Sequence, residues 1–258
     1  MKKLRSLFGK NSDASTEQDN ASTQQQEASV SASDQEPAQQ QVNLANPEFQ
    51  EMDRLRELFQ QEKFNEVLQE VEPYRSSLDT YVVKEAYGLT ALSYFRLEQY
   101  EQARATFEWL AKEYSDINDW FNLMTSAILA GHIDQGMEAY TQAKQLRAQA
   151  EDDEGVPIPQ MMYYACRALA DAKEYDRAFT VLNELMDIYK QLHITDDTFL
   201  YMRGVPMLPH AMEAVKIILI ARKDKMDIDT WFAMLDASLD EEGREIARQT
   251  KQQIIAVQ

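Results

Sequence analysis

Three histidines, His132, His193 and His210, are the obvious metal ligands or proton carriers of this 258-residue chain, and they lie at unrelated places in it. A helical zinc site needs two His four residues apart with a Glu between, or a comparable set of three or four ligands. His210 and Glu213 share a helix face, but two ligands do not hold a metal. The run Glu151 to Glu154 is anionic enough to attract calcium weakly. It lacks the alternating ligands of a calcium loop, however, and reads as a solvated turn. No Gly-rich phosphate loop occurs, nor a Ser or Cys nucleophile in a known motif. Cys166, the single cysteine, cannot pair within the chain and reads as a small apolar packer. The expectation is a protein that is not an enzyme and needs no cofactor or metal.

What recurs along the chain is packing chemistry. An aromatic or aliphatic residue is followed three positions later by a small one at Phe64/Val67, Tyr100/Ala103, Ile133/Gly136 and Tyr175/Ala178, at intervals of 36, 33 and 42 residues. This brackets the roughly 34-residue period of helix-turn-helix arrays. Four helix pairs are predicted from residue 47 to 192. First helices fall near 47–61, 80–97, 117–131 and 159–173, and second helices near 64–76, 100–114, 133–150 and 175–192. The eight-residue insert from Glu151 to Ile158, with its Gly155 and Pro157, accounts for the long interval. Order is expected to begin at Asn46-Pro47-Glu48, where Asn46 caps and Pro47 fits the first turn. Beyond residue 193 helical patterning continues in 209–223, 230–238 and 239–257. There Asp229 is a plausible cap, and Ser238 with Glu241 a capping box. Residues 193–258 read either as an end cap or as a degenerate fifth repeat.

The pattern resembles the tetratricopeptide repeat family over residues 48–192. The third repeat offers Trp120, Leu123, Gly136, Tyr140 and Ala143 to the family signature. The second offers Tyr87, Ala91, Tyr94, Ala103 and Phe107, and the fourth Ala165, Leu169, Tyr175, Ala178 and Leu182. The first keeps Leu58, Phe64, Val67 and Val71. Met124 and Val67 stand where small residues are usual, which predicts looser crossings in the third and first pairs. The resemblance implies an all-α, right-handed α-solenoid that binds a peptide or helix of another protein in a concave groove lined by the first helices. By position that groove would present Glu85, Arg96, Asn118, Phe121, Asn122, Thr125, Tyr163 and Arg167. The set of Lys, Asn and Arg with which some members clamp a C-terminal carboxylate is absent. Its places hold Gly88, Leu92, Gln160 and Tyr164, and only Asn122 fits.

Charge bounds the partners. The net charge is −18, yet Lys2, Lys3, Arg5 and Lys10 give the first ten residues +4, leaving −22 beyond them. So acidic a body repels phosphate backbones, so no nucleic-acid partner is expected and a basic partner segment is favoured. Residues 11–45 contain no Lys or Arg and are rich in Gln, Ser and Ala, the composition of a disordered linker. Residues 1–10 form a basic amphipathic segment in which Leu4, Leu7 and Phe8 fall on one side, the pattern of a weak peripheral membrane contact. Arg5 and Lys10 interrupt any signal-peptide core, and the lone cysteine suits a reducing cytoplasm. The leading expectation is thus a cytoplasmic adaptor or assembly factor gripping a partner peptide or helix. The alternative is an organising protein tethered at the inner face of a membrane by residues 1–10. An enzyme with an unrecognised site ranks third.

Overall fold

A computed structural model describes residues 47–151 and 154–257, and among them it is all-helical. Asn46, the expected first cap, lies outside the described residues. Four consecutive hairpins are formed by α1 (Pro47–Gln60) with α2 (Phe64–Glu70), α3 (Thr80–Arg96) with α4 (Tyr100–Tyr114), α5 (Ile117–Leu129) with α6 (Ile133–Gln149), and α7 (Ile158–Asp171) with α8 (Tyr175–Leu192). All four turns use one geometry. Glu62, Glu98, Gly131 and Lys173 each take a left-handed backbone, with φ of 61°, 60°, 89° and 64°. Each donates its N–H to the carbonyl three residues back, and the following residue donates to the carbonyl five back, as in Glu98 to Phe95 and Gln99 to Tyr94. This double bond satisfies the last carbonyls of the first helix and reverses the chain. Only the third turn uses glycine, the residue that adopts this backbone without strain.

The small residue of the recurring pair sits one turn into each second helix, and Val67, Ala103, Gly136 and Ala178 are all buried. Its role is clearest at Gly136, where an added Cβ would lie 2.5 Å from Ile128 Cγ1 and 3.1 Å from the Met124 carbonyl oxygen. The looser crossing predicted from Met124 is therefore not found. Glycine opposite removes the side chain that would hold the backbones apart, and Met124 itself is fully buried.

Each hairpin packs on the next. Helices α1 and α2 contact α3, α4 contacts α5, and α5 and α6 contact α7. Asp79 and Asp116 cap α3 and α5 by accepting from backbone N–H groups of the first turn. The predicted second helix over 64–76 is interrupted. Helix α2 ends at Glu70 and a 3-10 turn, Glu72–Ser76, follows, because Pro73 lacks the N–H that a continuing helix needs.

Past residue 193 the chain forms α9 (Asp197–Met202), α10 (Leu208–Arg222), α11 (Ile228–Asp236) and α12 (Glu241–Ile255). Helix α10 packs on both α7 and α8, as α7 packs on α5 and α6, and α12 folds back on α10. The caps differ from those expected. Asp227, not Asp229, accepts from the first-turn N–H groups of α11. Asp240 rather than Ser238 caps α12, accepting from Gly243 N–H while also holding Thr195. Helix α11 begins at Ile228, so Asp229 lies inside it and Asp227 takes the flanking position, whereas at α12 a carboxylate replaces the expected hydroxyl and is the stronger acceptor at the positive helix end.

Candidate functional site

Corresponding positions of successive first helices converge on one face. Phe121 and Tyr163, and likewise Thr125 and Arg167, are separated by the 42-residue interval of the third and fourth hairpins. The series extends to α10, because Leu208-Pro209 opens that helix as Ile158-Pro159 opens α7, with proline in the first turn of both. In this register Met162, Ala165, Ala168 and Leu169 correspond to Met212, Val215, Ile218 and Leu219, and all eight are buried. Tyr163 then corresponds to Glu213, and Arg167 to Ile217.

Aromatic contacts join the helices at this face. The Phe121 ring meets Tyr164 edge-on at 5.3 Å, and Tyr164 meets Tyr163 at 5.4 Å. Arg167 lies beside Tyr163, one helical turn away, and Glu213 is close enough to influence the Tyr163 phenol. Burial raises the pKa of Tyr163, and that of Tyr164 to about 12, so both remain neutral hydrogen-bond donors. The Cys166 thiol behind them is fully buried and is pushed up to about 12 by the same cause, which leaves it an inert packer.

The other expected groove residues are placed differently. Glu85 accepts from Arg56 Nε at 2.6 Å, joining the first and second hairpins. The guanidinium of Arg96 lies over Phe59 and Phe64 at 5.9 and 6.0 Å, again across that junction. Asn118 Oδ1 accepts from Val156 N–H at 3.2 Å and so ties the insert to the start of α5. Phe121 and Thr125 lie beneath the surface, and the Thr125 hydroxyl bonds the Asn122 carbonyl of its own helix. They shape the face from below rather than lining it. Asn122 is half-buried, while Tyr163 and Arg167 are each only 8% exposed. Glu213 and Tyr164 were missed as members of this face. The repeated apolar-Pro opening of α7 and α10 was the available signal for Glu213, and the pairing with Phe121 places Tyr164.

Among the described residues no group of three or more His, Cys, Asp or Glu is placed to hold a metal ion. His132 Nε2 lies 2.8 Å from Glu101, whose carboxyl is lowered to about 2, chiefly by Arg104. His193 Nδ1 meets the Ser238 carbonyl at 2.7 Å. Among the described residues no helix is long and apolar enough to cross a membrane. Leu4, Leu7 and Phe8 lie outside the described residues. Comparison with family models, curated proteins and solved structures finds no match for this chain.

Proposed function

We propose that this protein is a non-catalytic adaptor or assembly factor of tetratricopeptide-like architecture, in which the first helices form a concave face that holds a peptide or helix of another protein. The observation that carries this reading is the run of four hairpins with one turn geometry, which aligns Phe121, Tyr163, Tyr164 and Arg167 on neighbouring first helices. Rigid aromatic side chains beside a guanidinium are the residue types that dominate protein interfaces. A basic stretch elsewhere in the partner would speed encounter with so acidic a body. The test is to cross-link partners in cells, identify them by mass spectrometry, and repeat the capture with Tyr163→Ala combined with Arg167→Ala. Capture of the same partners should fall sharply while circular dichroism keeps the helical signal. Unchanged capture would show that the binding surface lies elsewhere.

A further inference from the structure

Most arginines drawn into this protein's surface meet a carboxylate of the chain itself. Arg104, with a side chain 16% exposed, pairs with Glu101 and Glu108 at 2.6 and 2.8 Å. Arg222, 14% exposed, pairs with Asp176, and Arg56 with Glu85 and Asp53. Arg167 is deeper than these, and among the described residues no carboxylate lies within ion-pair distance of it. Its Nε is sealed from solvent with no hydrogen-bond partner, as is that of Arg222, but Arg222 has its carboxylate and Arg167 does not. Its identified neighbours are the Tyr163 phenol, which shares a side-chain hydrogen bond with it, and the Cys166 thiol; both are kept neutral by burial, so neither supplies a countercharge. Glu213, the nearest acid across on α10, already binds Lys216 Nζ at 3.0 Å. A guanidinium cannot relieve its burial by losing a proton. A sunken, unpaired cation is destabilising unless something supplies the complementary charge.

We infer that this face recognises its partner through an internal acidic side chain, Asp or Glu, that docks on Arg167 beside the rings of Tyr163 and Tyr164, which Phe121 supports from below. The inference rests on the partner-binding reading above and specifies its chemistry. The surrounding rings exclude water, which strengthens a charge-assisted hydrogen bond. One cation suits one side-chain carboxylate. A chain terminus needs several converging donors, whereas the positions flanking Arg167 in α5 and α10 hold Thr125, bonded to its own helix, and the apolar Ile217. The body's negative charge opposes acidic segments at long range, so an acid enters only where this local site receives it.

The test selects random peptides on the full-length protein, with internal sequences and free C-termini displayed in separate arms. Selected peptides are then measured against Arg167→Met, which keeps the apolar stem, and against Tyr164→Ala. Internal peptides carrying Asp or Glu beside apolar residues should be enriched and should bind Arg167→Met at least about tenfold more weakly. The Tm of Arg167→Met should equal or exceed that of the wild type, since an unpaired charge has been removed. Peptides that depend on Tyr164 but lack an acid, or that bind Arg167→Met unchanged, would overturn the inference and leave the face standing. Enrichment confined to free C-termini would overturn the side-chain assignment. A lowered Tm with loss of every peptide would make Arg167 structural. Selection of no peptide that depends on Tyr164 or Arg167 would remove the face and the inference together.

Discussion

The first hairpin and the three that follow are built from the same local turn but held in different ways. Helices α1 and α2 enclose a small core of their own, in which Met52, Leu55, Val67 and Val71 meet Val82, Ala86 and Leu89 of α3. From Ala91 onward the apolar interior is continuous through α12. Surface ion pairs supplement this small core: Arg54 with Glu70 joins α1 to α2, Arg56 with Glu85 joins α1 to α3, and Arg54 with Glu51 and Arg56 with Asp53 lie within α1. Exposed pairs of this kind contribute little and are screened by salt. Close backbone approach does the equivalent work at α5 and α6, where Gly136 lies against Ile128 and Met124. Helix α3 belongs to both cores, and it is the boundary at which a shared turn geometry ceases to imply shared stability.

The contrast is sharpest for deletions from the two cores. Phe107→Ala should cost about 3–5 kcal/mol and speed amide exchange from α3 through α12, because that interior is continuous. Leu55→Ala should cost about 2–4 kcal/mol but release exchange only in α1, α2 and the first half of α3. Hydrogen exchange read by mass spectrometry separates the two patterns. Identical patterns would mean one cooperative unit and would break the comparison.

Gly136→Ala probes the close approach itself. The added methyl group meets Ile128 and the Met124 carbonyl, so a loss of about 1–3 kcal/mol is expected in chemical denaturation. Val67→Ile probes the corresponding site of the first hairpin, where a β-branched residue is already accommodated, and a smaller loss is expected there. Similar losses at both sites would erase the distinction between the hairpins.

The main body also holds a mismatched charge. Asp119, in the first turn of α5, is raised from 3.8 to about 6, first by burial and then by Asp116, against the opposing effect of Lys84. Its Oδ2 has no hydrogen-bond partner. The folded carboxyl therefore holds its proton more tightly than the unfolded one. Its ionisation costs stability as pH rises from about 4 to 6, and below that window the penalty disappears. Asp119→Asn should flatten this part of the stability profile and raise stability at pH 7 by about 1–2 kcal/mol. A profile unchanged between pH 4 and 6 would show that the carboxylate is solvated.

The smallest expected effect concerns what the hairpins share. Glu98→Gly or Lys173→Gly relieves a left-handed backbone at a turn where Gly131 serves naturally, and should stabilise by about 0.5 kcal/mol after the added freedom of the unfolded chain is counted. Destabilisation would mean that the side chains of these residues contribute more than their backbone costs.

The helices of the four hairpins were largely legible because the pattern that marks them, an apolar residue and then a small one, is also what packs them. Helix α6, predicted over 133–150, spans Ile133–Gln149, and α8 spans Tyr175–Leu192 as expected. Helix α2 stops early, at Glu70, ahead of Pro73, whose effect outweighed the apolar pattern. The six-residue α9 was hidden because a single turn capped by Asp196 carries too little periodicity to recognise. The face was harder to read. Position alone selects Glu85, Asn118 and Thr125, but whether a polar side chain is available depends on contacts such as Arg56 with Glu85 and Val156 with Asn118. Those contacts join residues distant in the chain and leave no periodic trace. Arg167 was legible as a position, whereas its missing carboxylate became visible only in three dimensions.

The central claim, that the first helices hold the partner, is tested most directly by photo-cross-linking in cells. A photoreactive residue is placed at half-buried Asn122 or Gln160 on the first helices, or at exposed Thr141 or Thr180 on the second. The account predicts that one partner segment is captured from both Asn122 and Gln160 and from neither Thr141 nor Thr180. Capture of that segment through Thr141 or Thr180, with none through Asn122 and Gln160, would contradict it.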